Sequence, residues 1–265
     1  MTMQKLYLVD TFTDHPYGGN PAPVMISERF PDDMQNIASE LNFPSTAFVT
    51  ASENDRFNIR WFSPKVELKL CGHALLAAAH ILFEQKLVKS NKVLFESLSG
   101  SLEVVKDGDK IILDFPLQTV SNIQDKSTFQ KLFGVSDIDE VYVAPGAIIV
   151  VLHSSDDLQK LVLDFAAIER IEAEAIIVTA PSQTYDFVSR VFAPRVGINE
   201  DPVTGSSHCK LADYWSKRLG KNTLRAYQAS ERGGCIDIQI KNDRVFLIGS
   251  AVTIMNGFWH RKDCY

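Results

Sequence analysis

A hexapeptide that occurs twice, half a chain apart, constrains this sequence more than any other feature. Trp61-Phe62-Ser63-Pro64-Lys65-Val66 recurs as Val191-Phe192-Ala193-Pro194-Arg195-Val196, an offset of 130 in a chain of 265 residues. Each copy leads to a glycine-containing turn, Cys71-Gly72-His73 in the first and Thr204-Gly205-Ser206 in the second, and each turn opens a helical pattern. Beyond the helices come Phe95 to Gly100 and Ala226 to Ser230, then two strand-like runs in each half. Those runs are joined by Lys106 to Lys110 and by Lys241 to Arg244, where Asp-Gly and Asn-Asp supply the positive φ of tight hairpin turns. One shared hexapeptide is weak on its own, but the same order of strand, turn, helix, strand and hairpin in both halves predicts two similar domains.

The expected boundaries are residues 1–116 and 126–265. The polar, proline-bearing segment Phe115 to Lys126 serves as linker, and the final strands, Ala251 to Tyr265, are free to pair back with the first domain. Lys5 to Asp10, Ala22 to Ile26, Thr46 to Thr50 and Phe57 to Phe62 read as strands, and Asp32 to Leu41 as a helix; Ala147 to Leu152, Ala175 to Thr179 and Phe187 to Phe192 play the same parts later. Many strands without regular βαβ alternation predict an α+β fold, two pseudo-symmetric domains that each wrap a mainly antiparallel sheet around a central helix. The helix after Cys71 (Ala74 to Phe83) has almost no polar face, so it must be enclosed. Its counterpart sets Leu211, Ala212, Trp215 and Leu219 on one face, with Lys210, Lys217 and Arg218 elsewhere.

Composition narrows the function classes. A net charge of −6 does not attract phosphate backbones or anionic lipid, so nucleic-acid and membrane partners are disfavoured. No run reaches the ~18 apolar residues of a membrane span, and the opening MTMQKLYLVD lacks the apolar core of a signal peptide. Four dispersed cysteines (Cys71, Cys209, Cys235, Cys264) have no metal-type spacing, and a cytoplasmic location with reduced thiols is expected. Neither a metal nor a nucleotide cofactor is indicated, because there is no G-x-G-x-x-G or Walker pattern and no close histidine pair. Exposed edge strands leave room for a homodimer.

Four segments, in order along essentially the whole chain, resemble the phenazine-biosynthesis (PhzF-like) family. They are Val9-Asp10-Thr11-Phe12 with Gly18-Gly19-Asn20-Pro21-Ala22, then Leu41 to Val49, then Leu70-Cys71-Gly72-His73-Ala74, and last Glu200-Asp201-Pro202-Val203-Thr204-Gly205-Ser206. The resemblance implies the diaminopimelate-epimerase-like fold, an interdomain cleft, and cofactor-independent proton transfer on a small carboxylate-bearing metabolite. Two helix N-termini suit such chemistry, since their unpaired N–H groups and positive dipole ends receive a carboxylate and stabilise the charge of an enolate. Gly72 and Gly205 let backbone approach a ligand, with Thr204 and Ser206 beside them. The bland alternative is that both starts are ordinary helix caps, Asp201-Pro202 fitting an N-cap with proline at N1. His73 and Asp201 match family site positions. Asn20 either orients the site or makes a Gly-Gly-Asn-Pro turn.

One position departs from the pattern. The family's proton-transfer glutamate sits in a segment that usually reads SETAF, and here Pro44-Ser45-Thr46-Ala47-Phe48 places Ser45 there. A buried carboxylate shuttles a proton near neutral pH, whereas an unassisted hydroxyl is a poor base. Three readings stay open: an isomerase whose base is Asp201, His73 or Cys71; a noncatalytic carboxylate-binding protein on the same site; or another reaction in which Ser45 donates a hydrogen bond. Cys71 directly precedes Gly72, where two-base epimerases carry one catalytic cysteine, and the partner position is Thr204. Glu40 reads as a solvated helix residue, Cys209, Cys235 and Cys264 as structural thiols, and Phe48, Phe57, Trp61, Phe62 and Phe192 as core.

Overall fold

A computed structural model describes residues 2–52, 55–123 and 125–261. The chain divides into two compact units, Met1–Asp114 with Ile248–Tyr265, and Phe115–Leu247. In chain order the first unit holds β1 (Thr2–Thr11), β2 (Asn20–Ser27), α1 (Met34–Leu41), β3 (Thr46–Ala51), β4 (Arg56–Phe62), β5 (Glu67–Leu68), α2 (Gly72–Glu84), β6 (Lys92–Ser97), β7 (Gly100–Asp107) and β8 (Lys110–Pro116). The second holds β9 (Ser121–Ile123), α3 (Ser127–Phe133), β10 (Glu140–Ala144), β11 (Ala147–Val151), α4 (Ser155–Gln159), α5 (Phe165–Glu169), β12 (Ala175–Pro181), β13 (Phe187–Ala193), β14 (Ile198–Asp201), α6 (Gly205–Leu219), β15 (Thr223–Gln228), β16 (Gly234–Lys241) and β17 (Arg244–Gly249). The last strand, β18 (Ala251–Arg261), pairs antiparallel with β1, from Thr2↔Arg261 to Thr11↔Ala251.

The two units repeat one pairing scheme. In the first, β1–β2 is antiparallel, β2–β3 parallel, β3–β4 antiparallel and β4–β6 parallel, with β6–β7 closing as a hairpin. In the second, β10–β11, β11–β12, β12–β13, β13–β15 and β15–β16 follow the same succession. The repeated hexapeptides end β4 and β13, and the two turns that follow them open α2 and α6. The predicted hairpin turns close through Gly108 at φ 58° and Asn242 at φ 56°.

Why the sheets wrap the helices follows from side-chain parity. On β2, β3 and β4, Met25, Phe48 and Phe62 pack with Met34, Ile37 and Ala38 of α1. The alternate residues Ala47, Val49 and Trp61 are equally buried and face the other way, toward α2, which packs on β1, β2 and β3. Having no polar face, α2 buries nearly every residue from His73 to Leu82. In the second unit α3, α4 and α5 cover one face around Phe133, Leu158, Ile168 and Phe192. Trp215 of α6 stacks on Phe187 at 5.3 Å and donates its indole N–H to Thr179.

One expectation needs correction. The start of the expected linker is tied down: the N–H groups of Leu117, Gln118 and Val120 donate to the Asp243 carbonyl, the Cys209 carbonyl and the Asp213 carboxylate. In α6, Lys210 lies off the apolar face read from the sequence and yet is not solvated. It is buried with Nζ 3.3 Å from the Ser206 carbonyl, its stem serving as packing surface, and burial holds its amine below the usual lysine range. Among the described residues no helix is long and apolar enough to cross a membrane.

Candidate active site

The first helix start is built by Cys71 in an extended conformation (φ −143°, ψ 104°), which turns the chain into α2 and takes the first helical hydrogen bond from the Leu75 N–H at 2.9 Å. No side chain caps this terminus, so first-turn N–H groups around Gly72 keep their outward direction. His73 is buried in that turn, and burial drives its imidazole down to about 4, so it is neutral near pH 7. The Cys71 sulfur lies 3.4 Å from Nδ1 and 3.9 Å from Nε2 of His73. Within reach of both nitrogens, the thiol does not by itself fix the ring's tautomer.

Asn20 and Ser45 stand at the entries of neighbouring strands in the same unit. Asn20 opens β2, is fully buried, and its carbonyl accepts from the Thr11 hydroxyl at 2.9 Å. Gly19 accounts for the turn before it: at φ 62° a Cβ would come within 1.9 Å of the Thr11 carbonyl oxygen. Ser45 immediately precedes β3, and the strand's alternation places it on the α2 side with Ala47. It is fully buried, and its Oγ has no hydrogen-bond partner among the described residues, His73 and Cys71 included. Glu40 is exposed on α1.

The second helix start is polar. Asp201 is the last residue of β14, still paired with Val191, and Thr204 is the N-cap of α6. The cap expected at Asp201-Pro202 is therefore displaced by three residues, because the strand continues through Asp201. The Thr204 side chain does not cap either; its hydroxyl donates to Asp201 Oδ2 at 2.5 Å. Gly205 is buried at the first helical position and Ser206 is exposed.

Two residues absent from the sequence expectations complete this start. Gln228, fully buried at the end of β15, accepts the Thr204 N–H at 2.8 Å. Its amide donates to the Asp201 carbonyl at 2.6 Å and the Thr204 hydroxyl at 3.2 Å. Inward positions on β15 are Leu224, Ala226 and Gln228, so a lone amide in an apolar alternation was the available signal. His208 is also fully buried: Nδ1 lies 2.8 Å from the Thr204 carbonyl, the ring stacks on Phe187, and burial drives it down to about 4. Cys209 is buried, its thiol pushed up to about 12 by burial, Cys235 is half-buried near the Tyr185 hydroxyl, and Cys264 lies outside the described residues.

Known proteins decide what kind of chain carries these two starts. The model of the phenazine biosynthesis-like protein family (PhzC-PhzF) matches residues 9–257. The chain belongs to that family. An uncharacterized isomerase of Halalkalibacterium halodurans is 42% identical over 262 residues, covering 96% of this chain and 98% of the relative. Another uncharacterized isomerase, from Pseudomonas aeruginosa, is 41% identical, with 96% of this chain and 97% of that one covered. Among solved structures, a PhzF-family phenazine biosynthesis protein of Enterococcus faecalis superposes with a TM-score of 0.94 at 38% identity, over 98% of this chain and all of that one. The fold class is that of PhzF proteins, with a diaminopimelate-epimerase-like architecture; a hydroxyproline epimerase of Agrobacterium vitis shares the fold with a TM-score of 0.64 at 12% identity, over 97% of this chain and 92% of that one.

Proposed function

We propose that this family member is a cofactor-independent isomerase that moves a proton on a small carboxylate-bearing metabolite. The observation that carries this reading is the pair of helix starts in equivalent places, each with a glycine in the first turn and neither capped by a side chain. N–H groups and dipole ends of this kind receive a carboxylate, and they stabilise the negative charge that grows on it when the adjacent carbon loses a proton. In this reading Gly72, Thr204, Gly205 and Ser206 bind the anion and Asn20 supports the strand entry beside Ser45. His73, neutral near pH 7, accepts or returns the proton, and Asp201 orients the substrate. Ser45 donates a hydrogen bond where relatives of this pattern carry glutamate.

The buried hydroxyl at position 45 favours a second reading, a carboxylate-binding protein without catalysis, because no carboxylate stands there to move a proton. Incubation with a panel of carboxylates in heavy water, followed by NMR at carbon, separates the two. The isomerase reading expects solvent deuterium to enter at carbon, with a loss of at least ~100-fold in His73→Ala and in Asp201→Asn. Binding across the panel with no exchange overturns it in favour of the binder. Ser45→Glu is expected to raise exchange, since burial near α2 would lift the new carboxyl toward neutral pH; an unchanged rate in folded, ligand-binding protein removes Ser45 from the proton path.

A further inference from the structure

We infer that Gln228 is a positioning residue of this site, an amide clamp that fixes the direction of the Thr204 hydroxyl and through it the state of Asp201. The inference rests on the proposed role of Asp201, but its geometry stands apart from any substrate.

The Gln228 side chain spans the bend between β14 and α6. Its oxygen takes the Thr204 N–H at 2.8 Å, which leaves its NH2 group directed at the Asp201 carbonyl (2.6 Å) and the Thr204 Oγ1 (3.2 Å). Gln228 is fully buried, so each of these bonds lacks competition from water. A hydroxyl has one hydrogen. Because Gln228 occupies a lone pair of Oγ1 as donor, the Thr204 hydrogen turns to its other near neighbour, Asp201 Oδ2, 2.5 Å away. The order amide to hydroxyl to carboxylate thus has one direction, and it favours Asp201 in its ionised form. The reverse arrangement, a protonated Asp201 donating to Thr204, would fill both lone pairs of Oγ1 and leave its hydrogen with no acceptor among the described residues.

Further bonds keep the bend from drifting. His208 Nδ1 reaches the Thr204 carbonyl, and Ser230 donates to the Pro202 carbonyl at 2.7 Å. Neither touches the Thr204 hydroxyl, so the direction of that hydrogen is set by Gln228. The same place in the first unit, the last residue of β6, is Ser97, whose hydroxyl turns back to the Gly100 carbonyl. The clamp is therefore not a requirement of the repeated fold.

Gln228→Glu tests this first, because it keeps the length and an acceptor for the Thr204 N–H and, ionised, removes both donors; the Thr204 variants add no charge and so separate loss of the link from repulsion by the new carboxylate. The carboxyl of Asp201, followed by carbon-13 NMR, is expected to titrate about one unit higher in the variant than in the parent, while the amide resonances of Thr204 and Gly205 move and His73 does not. Thr204→Val, which breaks the link while leaving Gln228 intact, is expected to give the same upward shift, and Thr204→Ser to restore the parent value. If Gln228→Glu does not fold, the Thr204 pair decides. An Asp201 titration unchanged in folded Gln228→Glu, or in Thr204→Val, overturns the inference. If the parent protein exchanges no substrate proton, the proposed activity fails while these titrations still decide the clamp. Where exchange is found, the positioning role predicts a fall in kcat larger than any rise in KM for Gln228→Glu.

Discussion

At the start of α2, the preceding strand ends in Leu68, the N-cap is Cys71, and the strand beyond the helix ends in Ser97. At the start of α6 the same three places hold Asp201, Thr204 and Gln228. Around them the scaffold is shared. Arg60 forms two hydrogen bonds to Glu67, at 2.7 and 2.8 Å, and lies over the Phe62 ring at 5.3 Å. Arg190 forms two to Glu200, both at 2.8 Å, and lies over Phe192 at 5.1 Å. Each arginine ties the short strand before the helix to the long strand before that, so the repeated chemistry holds the backbone. The unshared residues sit at the ends of elements. One therefore offers a thiol beside a neutral imidazole, and the other a carboxylate in a directed hydrogen-bond chain.

The largest stability effect should come from the shared clamps, and unequally. Arg190 and Glu200 are only 14% and 20% exposed, Arg60 and Glu67 36% and 26%. Removing one partner of a largely buried pair strands a charge, whereas a pair nearer solvent has water to replace it. Arg190→Ala is expected to cost about 3 kcal/mol and Arg60→Ala about 1 kcal/mol in urea unfolding. Equal costs would mean that burial does not set the strength of these clamps, and that the resemblance of the two units extends to their energetics.

The shared parts were legible in the sequence and the unshared ones largely were not. The hexapeptide marks β4 and β13 because a β-strand has few ways to hold Trp-Phe or Val-Phe before a proline turn. The enclosure of α2 follows from its lack of any polar face. Asp201-Pro202 misled because it satisfies the local preferences of a cap, while pairing of Asp201 with Val191, a contact distant in the chain, keeps it in a strand. The linker expectation failed in the same way: Leu117, Gln118 and Val120 look like loop until Asp243, Cys209 and Asp213 arrive to take their N–H groups. Lys210 and Gln228 are polar side chains at inward positions, and only tertiary packing shows that each has partners there.

Acid should act on both units at once. His73 in the first and His208 in the second are each driven down to about 4 by burial. Between pH 6.5 and about 4 an unfolded histidine carries a proton that the native one refuses, so the unfolded state binds more protons and unfolding becomes easier as pH falls. Above 6.5 both states are neutral and the full stability is present; below about 4 both are charged and no more is lost. Each histidine contributes at most ~3 kcal/mol over that window. Urea midpoints measured from pH 7.5 to 4.5 should fall steadily, and His208→Phe, which keeps the stack on Phe187, should remove roughly half of the slope. A slope untouched by that substitution would assign the acid sensitivity to the first unit.

The smallest effect is expected at Cys71, and it separates two accounts of the thiol–imidazole contact. If burial alone holds His73 down, as its enclosure in the first turn of α2 indicates, the sulfur at 3.4 Å is a neutral neighbour. Cys71→Ala should then leave the His73 titration within about half a unit of the parent value. A thiolate there would instead hold imidazolium in place by its charge, and removing it would drive the histidine lower still by about a unit or more. Proton NMR titration of the His73 ring in both proteins distinguishes these outcomes. The same thiol in the parent should react with a selective reagent no faster than an ordinary buried cysteine near pH 7. Fast reaction together with a lowered His73 titration in Cys71→Ala would make the first helix start an ion pair rather than a thiol beside a neutral imidazole.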